Sequence, residues 1–151
     1  PYAMWTTFVP FAEKSREWKF GSWRSWINYI LISFISSTAC AVVISIAVDA
    51  LGIVPYSVLP KIITLNNTFA SWIGVLLLIS VFRVTKEQLG LFWADVMEES
   101  NMGTPIAGII GAWLVTIASV IGLLGGIITD LPVTTIGWIC ALAIIIGSLL
   151  L

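Results

Sequence analysis

The chain has 151 residues, 59% of them hydrophobic and only 10% charged, with a net charge of −1. Its mean hydropathy is +1.05, far beyond a water-soluble domain, and with seven Lys+Arg against eight Asp+Glu it lacks the basic field that nucleic-acid binding requires. There is no histidine, which removes the commonest general base and metal or haem ligand and leaves carboxylates, hydroxyls and backbone to carry any chemistry.

The composition predicts an all-α, polytopic integral membrane protein of four spans arranged as two hairpins. The N-terminus, "PYAMWTTFVP", has neither the charged start nor the cleavage site of a secretory signal. The sequence starts at Pro1 and stops inside "AIIIGSLLL" without a closing polar flank, the pattern expected of a piece of a longer chain.

Residues 1–26 form a segment of their own ahead of the first span. Trp18, Trp23 and Trp26 are interleaved there with Lys14, Arg16, Lys19 and Arg24. Indole rings favour the headgroup level and cations favour anionic lipid, so this ribbon is expected to anchor at the membrane surface. A docking site for a partner protein is the alternative.

Residues 27–151 are expected to form the transmembrane domain. The first span is placed over 27–52, closed by Asp49, Gly52 and Pro55, and the second over 61–83. Asn66, Asn67 and Thr68 interrupt the second, but from Ile62 to Phe82 it still has 21 residues, roughly 31 Å at 1.5 Å per residue. "NNT" formally matches a glycosylation sequon, although it stands too close to the span for ready use.

A surface helix is expected over about 85–98. Thr85 and Gln88 read as its capping box, and Phe92 and Trp93 lie on an apolar face that leaves Glu87, Asp95, Glu98 and Glu99 toward water. Its acidic rim is either simply solvated or set against a basic partner.

The third span is placed over 105–129, opened by Thr104 and Pro105, and the fourth over 133–151, with "TDLP" between them. Gly108 and Ala112, then Ala118, Gly122 and Gly126, recur every four residues, and Gly137 with Ala141 extends the pattern into the fourth span. Small residues at this spacing let helix backbones approach closely in lipid. The alternative is a thin-walled passage for a small solute.

Six of the seven cations flank the two ends expected on one side of the membrane and only Lys61 lies on the other, which predicts cytoplasmic termini. Along span one, Ser33, Ser37, Ala41, Ser45 and Asp49 follow at four-residue intervals. With Asn66, Asn67 and Asp130 they suggest an outer-leaflet cluster able to bind a cation or relay protons. The simpler alternative leaves Asp49 and Asp130 at the water interface, with Asn66 to Thr68 as a loop or cap.

No metal-ligand spacing, Cys-x-x-Cys, phosphate loop or nucleophile–base pairing is present in the sequence, so no cofactor, no metal and no catalytic residue is expected. What remains is a non-catalytic subunit of a larger membrane complex, either scaffold or transporter component, with a small homo-oligomeric ion or proton channel as the alternative. The expected partners are the lipid bilayer and either other membrane subunits or further copies of the chain, not nucleic acid.

Overall fold

The computed structural model describes residues 23–85, 106–128 and 132–151, with 24, 25 and 82 described by their backbone alone. Four helices follow in order: α1 (Trp23–Ala50), α2 (Leu59–Arg83), α3 (Ile106–Gly125) and α4 (Val133–Leu150). Each is long and apolar enough to cross a membrane, and no strand occurs among the described residues. The described residues form an all-helical, four-span membrane protein.

Helix α1 begins at Trp23, four residues ahead of the expected start, so its aromatic entry is helical. It stops at Ala50 rather than 52. Gly52, at φ +70°, takes the left-handed conformation that lets the chain turn back on the last helical carbonyls. Its N–H donates to the Asp49 carbonyl at 2.9 Å, and that of Ile53 donates to the Val48 carbonyl at 3.2 Å.

Helix α2 starts at Leu59, with Pro60 in its first turn, where a missing N–H costs nothing. Asn66, Asn67 and Thr68 do not break it. Their weak helix propensity, at most about 0.7 kcal/mol each, is outweighed in lipid by the several kcal/mol of an unsatisfied backbone group. Thr85, expected to cap the next helix, donates its hydroxyl back to the Val81 carbonyl at 2.9 Å. The rest of the expected surface helix, with Phe92 and Trp93, lies outside the described residues, as does the N-terminal segment with Trp18.

Helix α1 is the centre of the bundle: α2 packs on one side of it, α3 and α4 on the other, and α3 and α4 pack most extensively against each other. The core joins Ile35, Ala39, Val42 and Ile46 of α1 to Ala112, Val115 and Ala118 of α3 and to Cys140, Ala141 and Ile144 of α4. No residue of α2 belongs to that core cluster. The most apolar stretch of α2 is only 17% buried, against 56% for that of α1.

Candidate functional site

Two polar regions stand out, and they lie at different depths. The first is the connection between α1 and α2. Tyr56 inserts from it into the bundle and is 2% exposed. Its hydroxyl donates to the Gly122 carbonyl of α3 at 2.9 Å, and its backbone N–H donates to Asp49 Oδ1 at 3.1 Å. The second Asp49 oxygen accepts a long bond, 3.5 Å, from the Thr134 hydroxyl at the start of α4. Asp49 thus ties the loop to two helices and has no cation beside it in these contacts.

Glycines make room for the Tyr56 ring. A Cβ on Gly122 would lie 2.7 Å from Val42 Cγ2 and 3.2 Å from the Tyr56 hydroxyl, and one on Gly137 would lie 2.9 Å from Ile46 Cδ1 and 3.2 Å from the ring. At Gly126 the nearest approach is 3.4 Å, so that position is less crowded. Burial pushes the Tyr56 phenol up to about 12 from 10.0, because the buried ring cannot hydrate a phenolate.

The second region is the seam between α1 and α2. Ser33, Ser37 and Ser45 of α1 and Thr64 and Thr68 of α2 are buried. The Tyr29 hydroxyl crosses the seam to donate to the Ser71 carbonyl at 2.8 Å. Three buried hydroxyls, those of Ser45, Thr64 and Thr68, have no hydrogen-bond partner. A groove of about 430 Å³ between α1 and α2 is lined by Ser36, Ser37, Cys40, Asn67, Ala70 and Ser71. Its lining carries no charge, so it suits a neutral hydrogen-bonding group rather than a bare ion. A second groove of about 410 Å³, between α1 and α4, is mostly apolar.

Of the expected outer-leaflet cluster, Asp49 and Asn67 do not share a level. Asn67 shares its level with Ser36, Ser37 and Cys40, which precede Asp49 by nine to thirteen residues, roughly 14–20 Å along the axis at 1.5 Å per residue. Asp49 stands one residue from the end of α1, whereas Asn67 stands eight residues into α2, well inside the span. Asn66 is exposed on another face of α2, and Ser45 is fully buried within the bundle. Asp130 lies outside the described residues. Among the described residues no three His, Cys, Asp or Glu side chains gather as a metal site would need.

Of the small residues on the expected packing face, Gly108, Ala112, Ala118, Gly122 and Gly126 are buried on or beside α3, and Gly137 on α4. Gly122 and Gly137 meet α1 and Tyr56 of the same chain, so that face is filled internally. At the other end of α1, Trp23 is 70% exposed and Trp26 half-buried. Arg24 is described by its backbone alone.

Two features escaped sequence reasoning. Tyr56 gave no signal beyond standing after Gly52 and Pro55 in a short connection, although the glycines at 122 and 137 leave a ring-sized gap. The closest crossing of α3 and α4 was missed too: a Cβ on Gly111 would lie 2.6 Å from the Gly147 carbonyl oxygen. Lone glycines within Ile- and Leu-rich runs were the available clue. Compared with protein-family models, curated proteins and solved structures, the chain matches none.

Proposed function

We propose that the chain is a non-catalytic subunit of a larger membrane assembly, with both termini cytoplasmic, serving as scaffold or transporter component. The observation that carries this is α2, a full-length span whose one extensive contact among the described residues is with α1 and which contributes nothing to the core cluster. In lipid, apolar side chains gain nothing from leaving the acyl chains for one another, so a half-attached span is held by specific packing rather than by hydrophobic burial. The neutral polar groove at its edge supports the same reading, since a hydrogen-bonding partner would relieve groups otherwise facing hydrocarbon.

Native mass spectrometry on the protein gently extracted from its own membrane tests this. Species heavier than the 16.4 kDa chain are expected; a solitary chain at every protein concentration and in every mild detergent refutes it.

A second reading, a small homo-oligomeric ion or proton channel, draws on the buried, unpartnered hydroxyls of Ser45, Thr64 and Thr68. It requires liposome flux that falls with Asp49→Asn and Asp130→Asn. Unchanged flux in both variants removes it.

A further inference from the structure

The polar groove between α1 and α2 lies at an unusual depth. The apolar stretches of the two helices run Trp26–Ala50 and Leu59–Val81, centred on Thr38 and Ala70. The groove walls are Ser36, Ser37 and Cys40 on α1 and Asn67, Ala70 and Ser71 on α2, so they bracket both centres. In a hydrocarbon layer about 30 Å thick this is the middle of the bilayer, about 15 Å from any headgroup. Hydroxyl and carboxamide groups at that depth have no water to turn to.

One of them stands out. Serine and threonine on a helix commonly satisfy themselves on the carbonyl four residues back, and Thr38, Ser80, Thr116 and Ser119 do so here. Ser37 does not. It is only 5% exposed, makes no hydrogen bond among the described residues, and lines the groove. The Tyr29 hydroxyl, bonded to the Ser71 carbonyl at 2.8 Å, holds the two walls together beside it.

We propose that this groove binds the ring head of a lipid-soluble quinone. Ser36, Ser37, Ser71 and Asn67 together present five O–H and N–H donors and no charge. A quinone head matches that set, since it is uncharged and its oxygens only accept. Each wall extends about 6 Å along its helix at 1.5 Å per residue, the reach of one ring rather than of a crossing helix. The volume of about 430 Å³ falls in the range of small-molecule sites, about 300–1,000 Å³. Exposed Ser36, Cys40 and Ala70 leave the groove open on its lipid side, where an apolar tail can remain among acyl chains. Phospholipid ester carbonyls offer similar acceptors but are held near the headgroups, too far from the bilayer centre to serve. The proposal goes beyond the assembly reading and does not depend on it.

The test titrates decylubiquinone into the full chain in mild detergent, reading bound mass by native mass spectrometry and melting temperature in parallel. One equivalent per chain is expected, with a rise in melting temperature. 1-Phenyldecane, a ring and tail without oxygen, should not bind at the same concentrations. Ser37→Ala and Asn67→Leu each remove a donor and should weaken binding about tenfold while the melting temperature without quinone holds or rises. Ala70→Leu, which fills the groove from its open side, should abolish binding, and Ser148→Ala in the apolar groove should leave it unchanged. Equal binding of 1-phenyldecane, no binding of decylubiquinone, or binding indifferent to Ser37→Ala, Asn67→Leu and Ala70→Leu overturns the proposal. If Ala70→Leu instead releases another subunit and no quinone binds, the groove is a helix contact: this proposal falls and the assembly reading stands. The assembly is read from protein masses and the quinone from ligand masses, so the two fail separately.

Discussion

Tyr56 joins the α1–α2 connection to both later helices, and its behaviour can be isolated with one oxygen atom. Tyr56→Phe removes the bond to the Gly122 carbonyl but keeps the ring between Gly122 and Gly137. Since that carbonyl also accepts from the Gly126 N–H at 3.2 Å, it is not orphaned, and the loss should be about 1 kcal/mol, read as a small fall in melting temperature in detergent. Alkali separates the two proteins differently. The folded phenol titrates at about 12 and the free one at 10.0, so the neutral phenol's contribution is complete below pH 10 and is withdrawn as pH rises through about 12. The melting temperature of the wild-type protein should therefore drop over this window more steeply than that of Tyr56→Phe. Neither role was legible in the sequence, because a tyrosine's depth depends on gaps opened by glycines far along the chain. Asp49, by contrast, was singled out as the polar end of a stripe, and it does mark the place where α1 meets the loop and α4.

At the level of the helices, the four spans were legible because backbone satisfaction in lipid leaves few alternatives to long apolar helices. The ends moved by a few residues, and Gly52 and Pro60 explain two of those shifts by turn and first-turn chemistry. Which helix touches which was not legible, since small-residue spacing on α3 identifies a packing face without naming its occupant. Here the occupants are α1 and Tyr56. Ala substitutions can grade these contacts. Gly111→Ala and Gly147→Ala each place a Cβ within 3.0 Å of the facing helix and should cost about 1–3 kcal/mol by forcing α3 and α4 apart. Gly126→Ala, with nothing nearer than 3.4 Å, should change stability by no more than about 0.5 kcal/mol. The α1–α2 seam should respond in the opposite direction. Thr64→Val and Thr68→Val replace unpartnered buried hydroxyls by methyl groups of the same shape and should leave stability unchanged or raise it by about 1 kcal/mol. A loss above about 1 kcal/mol in SDS titration would mean that those hydroxyls are bonded in the membrane.

Across the whole molecule, attachment is uneven. Helices α1, α3 and α4 share one core, while among the described residues α2 is joined to it chiefly through α1. As denaturing detergent is added, a thiol in the seam, Ser71→Cys in a Cys40→Ser background, should therefore become reactive before the native Cys140, which lies 4% exposed in the core. Simultaneous labelling would make the bundle a single cooperative unit. The bond from Tyr56 to Gly122 has a consequence in time as well as in space. Its partners are 66 residues apart, and at about 5–20 residues per second a ribosome needs roughly 3–13 s to make that stretch. For those seconds the first two helices exist without the cradle of glycines that later receives the ring. The newborn hairpin must wait with a tyrosine at its turn facing headgroups and water, and arrival of the second hairpin is what draws it inside.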